Sequence, residues 1–185
     1  MDTNRRIAFV ALTLLVAGFE TARAAATSTE EKTGFLSRIH KDAEGNESKY
    51  VVFVPKAYAA AESAEKRWPV IMFLHGAGER GDDGQKQVTV GLGPAIRRRE
   101  AQFPFIAVFP QCLLNGRWQA DSPDGQRAMA ILTEVEKDFR ADPDRVYLTG
   151  LSLGGMGTWS LGMKHPDRFA ALVPVCGRVC LERQT

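Results

Sequence analysis

The sequence predicts an α/β fold in which a mostly parallel sheet carries an antiparallel hairpin at its N-terminal end. Three observations lead there. Four apolar runs are continuous rather than alternating, the habit of strands buried on both faces. Helical patterns separate them. Glycine is concentrated in two short windows, Gly76 to Gly93 and Gly150 to Gly157, where backbone must turn sharply or approach something closely.

Phe35–His40 and Lys49–Val54 read as strands joined by the turn-rich Asp42-Ala43-Glu44-Gly45-Asn46, and so as a hairpin. The continuous runs are Pro69–Leu74, Phe105–Phe109, Val146–Thr149 and Ala171–Val175. Pro123–Phe139 is the clearest helix, with Ala128, Leu132, Val135 and Phe139 on one face. Ser122 is placed to cap it, Pro123 fits the first helical position, and Pro143 marks the stop. A second helix is expected over Gly154–Lys164, with Met156, Trp159 and Met163 on one side, and a short one near Pro94–Glu100. Strand, helix and strand in alternation imply right-handed crossovers.

Of 185 residues, 44% are hydrophobic and 25% charged, with a formal net charge of +2. That is a globular balance, and it gives no reason to expect a nucleic-acid partner or a disordered chain. Three cysteines exclude a disulfide-built scaffold. Residues 1–24 read as a signal peptide: Arg5 and Arg6 are basic, Ile7–Phe19 carries no charge, and Ala22-Arg23-Ala24 offers small residues for cleavage. The run is short for a membrane span, so an uncleaved anchor is the alternative. The expected protein is exported, periplasmic or secreted, without stable membrane insertion after cleavage. Residues 25–34 form a leader, 35–177 the domain and 178–185 an atypical tail.

The sharpest feature is Gly150-Leu151-Ser152-Leu153-Gly154, a G-x-S-x-G between an expected strand and an expected helix. A serine on such a strained turn needs neighbours two residues away without a bulky Cβ. Its Oγ is then pushed out above the sheet, beside the positive end of a helix. Ser152 is therefore the candidate catalytic nucleophile, with Gly150 and Gly154 as supporting positions. The backbone N–H of Leu153 is one candidate oxyanion donor. A second is expected from His75-Gly76-Ala77-Gly78, after the first central run; Ala77 is the candidate, with Gly76 and Gly78 allowing close approach. His75 is read as bracing this loop rather than as a base.

The segments His75-Gly76-Ala77-Gly78-Glu79-Arg80-Gly81-Asp82, Pro110-Gln111-Cys112 and Leu148–Gly155, with His165-Pro166-Asp167-Arg168-Phe169-Ala170-Ala171, resemble the α/β-hydrolase superfamily. More narrowly they are similar to secreted esterases and predicted peptidases related to polyhydroxybutyrate depolymerases, feruloyl esterases and dienelactone hydrolases. The resemblance implies an α/β-hydrolase-type sheet and a serine hydrolase of the carboxylesterase type. It implies a small-molecule or polymer ester substrate and no cofactor. A serine peptidase of the same fold is the nearest alternative. The family's order is serine, then acid, then histidine. After Ser152 the one histidine is His165, and both acids, Asp167 and Glu182, follow it. No triad acid or histidine is found in that order, so the fold is expected to lack its C-terminal strands. The chain is then impaired, or a non-catalytic truncated remnant. Ala171–Val175 would become an exposed edge through which the chain could self-associate.

Weaker candidates surround the presumed site. Trp118 either lines a substrate pocket or anchors its loop; Glu79 and Arg80 either orient substrate or belong to a solvated loop. No cysteine spacing matches a zinc site, and no metal is expected. Cys176 and Cys180 could pair, with Cys112 left over, although free thiols are favoured.

Overall fold

The computed structural model describes residues 33–179, so the expected signal peptide, most of the leader and Cys180 lie outside the described residues. The hairpin forms β1 (Gly34–Lys41) and β2 (Glu47–Val54), paired antiparallel with Gly34 opposite Val54. The remaining strands are β3 (Trp68–Leu74), β4 (Ile106–Pro110), β5 (Ala141–Leu151) and β6 (Ala171–Val175). They make one six-stranded sheet in the order β1-β2-β4-β3-β5-β6. β2 meets β4 antiparallel, while the β4–β3, β3–β5 and β5–β6 pairs are parallel. Among the described residues three helices accompany the sheet: α1 (Leu92–Arg97), α2 (Pro123–Asp138) and α3 (Leu153–Lys164).

The continuous apolar runs arise because both faces of the central strands are covered. One face presents Tyr50, Val52, Trp68, Val70, Met72, Ile106, Val108 and Leu148 to Ile131, Leu132 and Val135 of α2 and Leu161 of α3. The opposite face presents Val51, Phe53, Phe73, Ala107 and Phe109 to Val88 and to Ile96 of α1. Neighbours in sequence thus alternate between two cores, and neither can be polar. α2 begins as its capping signal requires: the Ser122 side chain accepts a hydrogen bond from Gly125 N at 3.1 Å.

Three details differ from the expectation. First, Pro143 does not follow the helix as a stop but lies inside β5. There the ladder to β3 jumps from Trp68–Ala141 to Val70–Val146. An irregular stretch of strand tolerates a residue without an N–H. Second, the buried side of α3 is Gly154, Gly155, Gly157, Thr158, Leu161 and Gly162, while Met163 is 51% exposed. Glycine lets this helix lie directly on the sheet, so its deepest face is its smallest. Third, α1 starts two residues before Pro94 and ends at Arg97, with a separate 3₁₀ turn at Glu100–Gln102.

Candidate active site

Ser152 sits where β5 ends and α3 begins, as the N-cap residue of that helix. Its backbone is at φ 56°, ψ −109°, in a region that non-glycine residues rarely occupy. Its side chain makes no capping hydrogen bond and is exposed. The turn is held from both directions: Ser152 N donates to Val175 O at 2.8 Å, and Met156 N donates to Ser152 O at 3.0 Å. The flanking glycines have no room for a side chain. A Cβ on Gly150 would stand 2.3 Å from Gly154 O, and one on Gly154 would stand 1.8 Å from Leu74 O.

Leu74 ends β3, and β3 is hydrogen-bonded to β5 with Leu74 opposite Gly150. The loops leaving these two strands are therefore adjacent. A Cβ on Gly76 would lie 3.9 Å from Ser152 Cβ and 3.6 Å from Leu151 O. Ala77–Glu79 then forms a single 3₁₀ turn capped by Gly76. Leu153 and Ala77 each occupy the first position of a helical turn, where an N–H has no intrahelical acceptor. The structure thus brings Ser152, Leu153, Gly76 and Ala77 together.

His75 is fully buried and both ring nitrogens are engaged. Nδ1 donates to Gly76 O at 2.6 Å, which leaves Nε2 as the acceptor for Cys112 N at 3.0 Å. Burial holds its pKa below the ordinary histidine value, outweighing the hydrogen bond to Gly76. The ring meets Trp118 edge-on at 5.1 Å between centroids, and Trp118 Nε1 donates to His75 O at 3.0 Å. Trp118 is 1% exposed and packs where any Cβ on Gly157 would collide with it at 2.2 Å.

The other histidines stand apart from Ser152. His40 Nδ1 pairs with Glu134 Oε2 at 2.8 Å, joining β1 to α2. His165 caps the far end of α3, a helix of 12 residues that puts it about 18 Å away at 1.5 Å per residue.

Of the acidic and basic candidates, Glu79 turns toward Gly76, its Oε2 3.1 Å from where a Cβ would be. Arg80 lines two adjoining clefts. The larger, of about 740 Å³, runs past Asp82, Asp83, Leu113, Leu114 and Asp124. The smaller, of about 360 Å³, is bounded by Arg80, Arg117, Gln119, Leu153 and Met156 and so abuts the Ser152 turn.

Two residues without an assigned role in the sequence hold these loops. Gln111, 3% exposed, accepts from Gly84 N at 2.7 Å and donates to Glu79 O at 3.1 Å. Asp124, 4% exposed, accepts from Leu113 N at 2.9 Å and pairs with Arg127. Their signal was weak. Gln111 stands out only as part of the Pro110-Gln111-Cys112 segment, and Asp124 is not singled out. Between them Cys112 is buried, and that burial pushes its thiol up to about 12, which leaves it inert as a nucleophile.

The structure superposes on a crystal structure of a thermostable esterase with a TM-score of 0.69 and 34% identity, covering 79% of this chain and 42% of that one. The described residues have an α/β-hydrolase-type sheet and cover part of that fold. The model of the prolyl oligopeptidase family matches residues 116–184 of this chain. It is also 31% identical over 75 residues to a bifunctional acetylxylan esterase/xylanase, XynS20E, of Neocallimastix patriciarum, covering 40% of this chain and 11% of the relative. Over 129 residues it is 26% identical to an endo-1,4-beta-xylanase/feruloyl esterase of Xylanibacter ruminicola, covering 64% of this chain and 18% of the relative. The chain therefore spans less than a fifth of those two relatives and under half of the esterase structure. Among its described residues no helix is long and apolar enough to cross a membrane.

Proposed function

We propose that this chain carries the nucleophile and the oxyanion donors of a serine ester hydrolase of the carboxylesterase type. The observation that supports it best is Ser152 held at φ 56°, ψ −109° with its hydroxyl exposed and free of any capping role. Strain of this kind persists where surrounding contacts over-determine it, and here it leaves Oγ free to attack. Ser152 Oγ bonds to the ester carbonyl carbon, and the carbonyl oxygen takes the negative charge. The N–H groups of Leu153 and Ala77 donate to that oxyanion, aided by the N-terminus of α3. Departure of the alcohol leaves an acyl-serine, which water hydrolyses.

Proton removal from Ser152 is the weak step. Among the described residues His75 is committed to Gly76 and Cys112, and His40 and His165 are remote. A base must reach the proton it takes, so the 185-residue chain by itself is impaired. The match to the prolyl oligopeptidase family favours, as a second reading, cleavage of amides rather than esters. Export after cleavage at Ala24 belongs to the same proposal.

The test is labelling by a fluorophosphonate probe, with the modified residue mapped by mass spectrometry. Weak, slow labelling confined to Ser152 is expected, together with p-nitrophenyl acetate turnover no faster than in Ser152→Ala. Labelling spread over other serines would overturn the nucleophile, and robust Ser152-dependent turnover would overturn the impairment. Rates on short acyl esters against peptide amides separate the two readings.

A further inference from the structure

The smaller cleft has a charge pattern that ester hydrolysis alone does not require. Its lining includes Arg80 and Arg117 and no acidic side chain. Among the described residues neither arginine forms an ion pair, although both also line the larger cleft with Asp82, Asp83 and Asp124; of those acids Asp83 is paired with Lys86 at 3.2 Å and Asp124 with Arg127. Asp83 is further occupied by the backbone N–H groups of Lys86 and Gln85. Glu79 is turned toward Gly76 rather than toward its neighbour Arg80. Arg80 Nε is buried and has no acceptor, and Gln119 Oε1 is buried with no donor. A buried donor without an acceptor is costly unless something arrives to meet it.

Resting on the esterase reading above, we propose that this cleft selects esters that also carry a carboxylate, which Arg80 and Arg117 receive while the scissile carbonyl lies at Ser152. Guanidinium groups bind carboxylates through paired, charge-assisted hydrogen bonds, and both arginines stay cationic at any working pH. The volume of about 360 Å³ suits a small acyl or alcohol group. Leu113 and Leu114, 48% and 70% exposed beside the larger cleft, give the carbon chain an apolar surface.

The test reads binding, not bond cleavage. Monomethyl succinate and dimethyl succinate, matched in length and differing by one charge, are titrated into the 185-residue chain and followed by heteronuclear NMR. The half-ester is expected to bind about tenfold more tightly, a preference that shrinks in high salt. Arg80→Gln removes most of the preference. Because Arg80 is partly buried, Arg117→Gln, at an exposed position, serves as a second variant and cuts the preference at least threefold. Equal binding of the two ligands, no binding of either, or a preference untouched by Arg117→Gln would overturn the proposal. Failure of the esterase reading shows separately, as absent fluorophosphonate labelling of Ser152.

Discussion

Replacing Ser152 by glycine is expected to stabilise the protein. At φ 56°, ψ −109° a residue with a Cβ stores roughly 1–3 kcal/mol of strain, which glycine does not feel. Against this, glycine loses about 0.5–1 kcal/mol more backbone entropy on folding. The difference is a net gain of about 1 kcal/mol. The control is Ser152→Ala, which keeps the Cβ and its strain and loses only the hydroxyl. Because that hydroxyl makes no capping bond, the alanine variant should stay within about 0.5 kcal/mol of the parent. In a domain of this size 1 kcal/mol moves Tm by about 2–4 °C, so thermal unfolding followed by circular dichroism resolves the glycine variant from the alanine one. The ordering expected is glycine above alanine, with alanine near the parent. A glycine variant less stable than alanine would refute the strain argument, since glycine is the worse residue wherever φ is ordinary. The same substitution should also remove fluorophosphonate labelling, so that stability and reactivity move in opposite directions at one residue.

The glycines of α3 should differ by what they touch: Gly154→Ala meets the Leu74 carbonyl at 1.8 Å and should cost more than about 2 kcal/mol, whereas Gly162→Ala meets only the Leu172 side chain and should cost less, by urea denaturation. His75, buried with a lowered pKa, binds its proton more readily when unfolded, so stability should fall as pH drops through about 6.5. His75→Gln should be less stable at pH 7.5 but lack that component of the slope, and an identical slope in both proteins would count against it. β6 lies at the end of the sheet among the described strands, with Val173 and Val175 56% and 43% exposed. Sedimentation should therefore show concentration-dependent association that Val173→Lys reduces.

The fold was legible where chemistry is local. Ala171–Val175 was read with both ends right, and Ser122 and Pro123 announced the start of α2. Continuous hydrophobicity marked the parallel strands because two cores demand it. What escaped depended on contacts between segments distant in sequence. The sequence placed Met156, Trp159 and Met163 on one side of α3, but the helix lies on the sheet through Gly154, Gly155, Gly157 and Gly162. No single-sequence pattern distinguishes a glycine face that packs from one that is merely small. Gln111 and Asp124 escaped for a similar reason. Their partners, Gly84, Glu79 and Leu113, reach them only once β4 stands beside β3. The hydrogen bond from the Trp118 indole N–H to the His75 carbonyl likewise joins segments distant in sequence.

The two halves of acyl-transfer chemistry differ in how much of the chain each needs. Oxyanion donors come from the turns that follow strands, so two adjacent parallel strands bring a pair together with no further architecture. Here β3 and β5 are such a pair, with Leu74 opposite Gly150, and the turns that follow hold Ala77 and Ser152–Leu153. A general base has the opposite requirement, because its ring must be free to move a proton. His75 lies in the neighbouring loop but fails that requirement. One nitrogen donates to Gly76 and the other accepts from Cys112, and burial disfavours the imidazolium that catalysis would create. Freeing it would break both bonds and release the turn that sets Ala77, so the residue that fixes the proposed oxyanion loop is barred from acting as the base. An oxyanion hole with binding alone still retains about 10³–10⁴-fold over water in triad enzymes stripped of a member. Any residual turnover by this chain should therefore depend on the Ala77 and Leu153 N–H groups more than on any imidazole among the described residues.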